Sequence, residues 1–195
     1  MSKKEAFAAL IFASIFLVVA TSCTKQNKAR SESISHEGIN IKELEYTDDD
    51  SFIDFNLQDQ YDNLHRLSEY RGKNVILVFW ATWCTDCMEE VPDVERLYLE
   101  YKKEGKEDLV ILGVNTPNRE PEASISKIKA FMKEKDYTFP TLMDEDGNVF
   151  EAYKIRTYPT TYFIGADGKI KDCVKGIMDY EDMKKSIENY FDENK

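Results

Sequence analysis

Histidine is nearly absent. The 195 residues include two, His36 and His65, and neither stands near a cysteine. A Cys/His metal site therefore has little to draw on. Cysteine is sparse too: four residues are too few for a disulfide-scaffolded miniprotein. Positive charge is the minority sign, with 26 Lys plus Arg against 37 Asp plus Glu and a net charge of −11. That balance argues against nucleic acid as the main partner, because phosphate binding needs a basic face. It also disfavours broad electrostatic adhesion to anionic lipid. No apolar run reaches the roughly 20 residues of a comfortable spanning helix, and no internal repeat is visible. What is present is 42% hydrophobic and 32% charged residues, enough for one folded domain with a short appendage.

The appendage is N-terminal. Lys3 and Lys4 precede an uncharged apolar run from Ala6 to Ala20, followed by small residues and Cys23. A basic start and a short hydrophobic stretch are what a secretory signal needs. Val19-Ala20-Thr21-Ser22-Cys23 resembles the lipobox of bacterial lipoproteins. The resemblance implies cleavage after residue 22 and lipidation of Cys23; an uncleaved short helix is the alternative. Either places the rest of the chain outside the cytoplasm at a membrane surface, and two or more acyl chains would hold it there stably. Residues 23–51, polar and ending near Asp48-Asp49-Asp50, read as a flexible tether. The domain is expected over residues 52–195.

Within it, Val75 to Trp80 and Leu109 to Val114 are continuous apolar runs that suit strands buried on both faces. Val91, Val94, Tyr98 and Tyr101 recur between them at helical spacing. This strand–helix–strand order predicts a βαβ unit with parallel strands. Ile125, Ile128 and Phe131-Met132 mark a further helix, and Met183, Ile187 and Tyr190-Phe191 a last one. Thr160 to Ile164 and Ile170 to Val174 predict an antiparallel pair about the turn Ala166-Asp167-Gly168-Lys169. Phe52, Ile53 and Phe55 suggest an edge strand, and Asn63 to Gly72 a short helical connection. The pattern is α/β: a mixed sheet with helices on both faces.

Cys84-Thr85-Asp86-Cys87 follows the first central strand and opens the helix. A cysteine at a helix N-terminus faces unpaired N–H groups and the positive end of the dipole, which favours its thiolate. The second cysteine lies about one turn further in, within reach of a disulfide. Such a pair exchanges with disulfides on other proteins. A zinc site would need two more ligands that the sequence does not offer. A purely structural disulfide would add little stability by closing so small a loop.

Phe79-Trp80-Ala81-Thr82-Trp83-Cys84-Thr85-Asp86-Cys87, with Pro92 beyond it, resembles the thioredoxin active-site segment. Ile155-Arg156-Thr157-Tyr158-Pro159-Thr160 resembles that family's cis-proline segment. Cys87-Met88-Glu89-Glu90-Val91-Pro92, the insertion before Phe139-Pro140 and the secreted start narrow the match to the TlpA/ResA-type extracytoplasmic thioredoxin-like reductases, from about Phe52 to Phe191. The resemblance implies a thioredoxin-like fold with an extra N-terminal strand and a central insertion. It implies Cys84 as attacking thiolate, Cys87 as resolving cysteine and a cis Pro159. Tyr158 and Thr160 would offer backbone groups to a client strand, a short form of strand addition. No metal or prosthetic group is needed. The partners implied are disulfide-bearing client proteins such as apocytochrome c, and a CcdA/DsbD-like membrane electron donor.

Ordinary thioredoxins carry a buried Asp six residues before the first cysteine, where this chain has Val78. Glu90, on the helix face of Cys87, is the replacement the resemblance implies; an exposed helix carboxylate is the alternative. Burial would raise its pKa and suit it to move the proton of Cys87. Asp86 takes the place of a common proline and disfavours the Cys84 thiolate, which favours a reductant. Trp83 is expected in the docking surface and Trp80 in the core. Cys173 shares parity with Lys171 and Lys175, which suggests an outward face; it is read as an incidental thiol or an intermolecular one. Rival readings are an oxidant or isomerase of the same fold and a non-catalytic binding module. A peroxidase is disfavoured, because Leu77 and Ala81 occupy the Pro and Thr positions of the Pro-x-x-x-Thr-x-x-Cys signature.

Overall fold

The computed structural model describes residues 51–191. Seven strands run in chain order: β1 (Asn56–Gln58), β2 (Leu64–Arg66), β3 (Asn74–Phe79), β4 (Leu109–Asn115), β5 (Thr141–Met143), β6 (Thr160–Ile164) and β7 (Ile170–Lys175). Four α-helices join them: α1 (Thr85–Lys103), α2 (Ile125–Glu134), α3 (Asn148–Ala152) and α4 (Tyr180–Phe191). The five-stranded sheet has the order β5-β4-β3-β6-β7. β3, β4 and β5 are parallel, while β6 is antiparallel to β3 and to β7.

β3 is central, and its sequence shows why. Ile76, Val78 and the following Trp80 pack on one face with Val91, Val94 and Leu97 of α1, Met132 of α2 and Met183 of α4. Val75, Leu77 and Phe79 pack on the other with Leu112, Val114, Val149, Phe150 and Tyr153. Both faces are dry, so the strand is apolar at every position from Val75 to Phe79 instead of alternating. The helix-covered sheet expected from the sequence is therefore present, with α1, α2 and α4 on one face and α3 on the other.

The entry to the sheet differs from expectation. Phe52, Ile53 and Phe55 lie outside any strand, and the added pair is the antiparallel hairpin β1–β2. Asn63 to Gly72 is divided between β2 and a single 3₁₀ turn, Leu67–Tyr70. The physical reason is Asp59. Its buried carboxylate accepts from the Tyr61 and Asn63 N–H groups at 2.8 and 2.9 Å, from Asn63 Nδ2 at 3.1 Å, and pairs with His65 Nε2 at 3.0 Å. These bonds close the hairpin turn, and Asp59 itself bridges to Leu142 of β5. Short β5 and α3 carry too few residues to show a period and were not foreseen.

Gly113 of β4 has no room for a side chain. A Cβ there would lie 2.7 Å from Thr141 Oγ1, 2.8 Å from Phe139 Cε2 and 2.9 Å from Trp80 Nε1. Trp80 and Phe139 are fully buried and cannot swing away. Gly113→Ala is expected to destabilise the domain by about 1–3 kcal/mol through overpacking, read as a lower urea midpoint with unchanged slope.

Candidate active site

The site lies where β3 ends and α1 begins. Cys84 adopts an extended conformation (φ −83°, ψ 114°) and caps α1, its Sγ accepting from the Cys87 N–H at 3.1 Å. Cys84 and Cys87 form a disulfide, with Cα atoms 5.2 Å apart. Cys84 is 6% exposed and Cys87 wholly buried. Placed so, Cys84 is the sulfur nearer solvent, and Cys87 faces the core. Pro92 lies inside α1 and lacks the N–H that would bond the carbonyl of Met88, four residues back.

The Tyr158–Pro159 peptide bond is cis. It enters β6, whose Thr160 pairs with Phe79 of β3, so the proline stands beside the strand end that leads to the cysteines. The Thr160 hydroxyl donates to the Thr157 carbonyl at 2.9 Å, closing that turn. Trp83 is 47% exposed and meets Tyr158 edge to face, ring centres 5.5 Å apart. The structure thus brings together Trp83, Cys84, Tyr158 and Pro159. Trp80 is fully buried, as its place in the strand suggested.

Glu90 is a fully buried carboxyl on α1. The Thr161 hydroxyl donates to Oε1 at a long 3.4 Å, and Oε2 has no partner. Burial dominates and raises its pKa from 4.5 to about 8; the Thr161 hydroxyl and the nearby Met178 backbone oppose this, and the Asp93 charge adds to it. Glu90 is therefore mostly protonated at neutral pH in the disulfide state.

Three contributors escaped sequence reasoning. Glu122, Asn115 and Thr82 form a hydrogen-bonded cluster behind Trp83. Thr82 and Glu122 are 40 residues apart, and no spacing rule joins them. Cys173 is half-buried instead of outward-facing. An irregularity in the β6–β7 register at Phe163/Ile164 skips Lys171, while the regular pairing beyond it keeps Cys173 on the face of Lys175; there Cys173 lies opposite Tyr162, which half-covers it. Cys23 falls outside the described residues. Among the described residues, no three His, Cys, Asp or Glu side chains gather to hold a metal ion, and no helix is long and apolar enough to cross a membrane.

A disulfide-linked cysteine pair at a helix start, on a sheet whose neighbouring strand is entered through a cis-proline, is the arrangement of a thioredoxin-fold thiol–disulfide oxidoreductase. Comparison with known proteins agrees. The chain belongs to the AhpC/TSA family, whose profile matches residues 49–173. It is 41% identical over 136 residues to the thiol-disulfide oxidoreductase ResA of Geobacillus kaustophilus, covering 70% of this chain and 74% of that one. Among solved structures it resembles the exposed lipoprotein thioredoxin of Streptococcus pneumoniae, with a TM-score of 0.62, 36% identity, and coverage of 70% of this chain and 98% of that one. It also resembles StoA of Bacillus subtilis, with a TM-score of 0.60, 26% identity, and coverage of 68% and 94%.

The raised pKa of Glu90 has a consequence for stability. Between about 4.5 and 8 the folded chain holds a proton on Glu90 that the unfolded chain has released. The contribution is fully present below pH 4.5 and is lost as pH rises toward 8. Glu90→Gln is expected to remove this dependence. Oxidised parent and variant, unfolded in denaturant from pH 4.5 to 9, should diverge progressively in favour of the variant, by on the order of a few kcal/mol at the alkaline end.

Proposed function

We propose that this protein is a membrane-tethered, extracytoplasmic reductase of protein disulfides. The observation that carries the reading is the buried, proton-holding Glu90 on the helix of the Cys84–Cys87 disulfide. Reduction of a client begins with attack by the Cys84 thiolate on one client sulfur. A mixed disulfide forms, and the other client sulfur leaves as a thiolate that takes a proton from water. Cys87 gives its proton to the Glu90 carboxylate and attacks Cys84 Sγ. The client's second sulfur leaves and is protonated. The client ends as a dithiol, two electrons richer, and the enzyme as its disulfide with Glu90 protonated.

That protonated state is the one whose pKa is set near 8. It is poised for the return step, in which a donor thiolate attacks Cys84 and Glu90 restores the proton to the leaving Cys87. No prosthetic group enters either half of the cycle. Trp83, Tyr158, Pro159 and Thr160 form the client surface, with the backbone beside Pro159 pairing to an extended segment. The lipobox-like stretch ending at Cys23 supports a lipid anchor. The similarity to an exposed lipoprotein thioredoxin and to ResA supports an extracytoplasmic place. The TlpA/ResA resemblance points to clients such as apocytochrome c and to a CcdA/DsbD-like donor.

The test is direct. Cys87→Ser should stall the mixed disulfide and accumulate clients covalently bound through Cys84, releasable by reductant, while Cys84→Ser should trap none and reduce no insulin. Equal capture by both variants would overturn the assignment of roles. Cys23→Ala should release the protein from membranes; unchanged fractionation and no acyl mass on the mature N-terminus would rule out the anchor.

A further inference from the structure

The loop that delivers Cys84 is held from a distance. Glu122 lies in the insertion between β4 and α2, and its side chain is buried. Oε2 accepts from the Thr82 N–H at 2.7 Å and from Asn115 Nδ2 at 2.9 Å. Oε1 accepts from the Thr82 hydroxyl and from the Ala123 N–H, both at 2.5 Å. All four partners are donors, which is the pattern a carboxylate satisfies and an amide cannot. Asn115 belongs to β4, whose Val114 carbonyl accepts from the Trp80 N–H at 3.1 Å. The carboxylate thus joins the insertion and β4 to the loop that precedes Trp83 and Cys84.

We propose that Glu122 is a positioning residue of the exchange site, holding Thr82 so that Trp83 and Cys84 present a fixed sulfur and docking ring to clients. Thr82 is fixed through both its backbone and its hydroxyl. Trp83, next in the chain, is itself exposed, and among the described residues its one ring contact is the edge-to-face meeting with Tyr158. Its position therefore depends on the residue before it. The insertion acts as a strut for the site, a role distinct from contact with the client.

The same fold supplies a matched control. Glu95 on α1 is also buried and takes three donors from another loop: the Thr138 N–H at 2.7 Å, the Thr138 hydroxyl at 2.6 Å and the Phe139 N–H at 2.9 Å. Its clasp is alike in kind but holds residues away from the cysteines.

The experiment compares Glu122→Gln, Thr82→Val, Thr82→Ser and Glu95→Gln in the full chain. Two readouts are used: kcat and KM for insulin reduction, and the pH profile of Cys84 alkylation in the reduced protein. Glu122→Gln and Thr82→Val are expected to lose about tenfold or more in kcat/KM, the scale of effect when a reacting group is misplaced, and to displace the alkylation profile. Thr82→Ser should restore both. Glu95→Gln should lose folding stability yet keep the parental rate and profile. A folded Glu122→Gln with parental values, or a Glu95→Gln that moves both readouts equally, would overturn the proposal. Should Glu122→Gln fail to fold, Thr82→Val decides in the same way. The proposal rests on exchange through Cys84, but the alkylation profile needs no client. It therefore fails or stands separately from the reductase reading.

Discussion

A reactive sulfur has to be held at the end of a strand that is dry on both sides, and the capping of α1 by Cys84 is how this chain does it. The Cys87 N–H, one of the donors a helix start leaves unpaired, is taken up by Cys84 Sγ. That bond sets where the helix begins, which sulfur lies toward solvent, and which face of α1 looks inward. Val91, Val94 and Leu97 then meet β3, and Glu90 is carried into the core with them. The loop, the helix and the buried carboxyl are one arrangement, because a helix started a residue earlier or later would rotate Glu90 off that face by about 100°.

The buried carboxyls divide by their surroundings. Glu122 and Glu95 each meet donors on both oxygens, and each ties a loop to the body of the domain. Glu90 has one long hydroxyl bond, the Met178 backbone near it, and no partner at hydrogen-bond distance on Oε2. Burial with so few donors leaves the neutral acid as the favoured form, so the residue poor in hydrogen bonds is the one suited to take and return a proton. A carboxylate met by donors on both oxygens makes a rigid strut.

The strands buried on both faces were legible because their composition is extreme: β3, β4 and β6 needed only hydrophobicity and β-branching. The CxxC carried its own context, since its place between a strand and an amphipathic helix is visible in one window. Glu90 was legible as a helix neighbour of Cys87, but its burial only through the family resemblance and not from its own surroundings in the sequence. That depends on Thr161 and Met178, 71 and 88 residues further along the chain. Glu122 was illegible for the same reason, and so was the half-burial of Cys173, which keeps its parity with Lys175 but lies opposite Tyr162 of β6. Contacts that close loops between distant segments leave no local pattern, and those contacts tune this site.

One substitution shows how tuning moves between elements. At the position where ordinary thioredoxins place a buried aspartate on the central strand, this chain has Val78, which pairs across the sheet with Thr161. Thr161 turns its hydroxyl toward Glu90 on α1. The buried carboxyl near the cysteines thus stands on the helix that bears Cys87, while the sheet keeps only a neutral donor. If α1 shifts when the disulfide opens, a carboxyl on β3 would stay behind. A carboxyl on α1 would keep its relation to Cys87, and what would change is its distance to Thr161 and to the Met178 backbone. Both contacts oppose the rise in its pKa. Any movement of α1 against the sheet on reduction is thereby coupled to the acidity of Glu90, with no ion pair needed to transmit it.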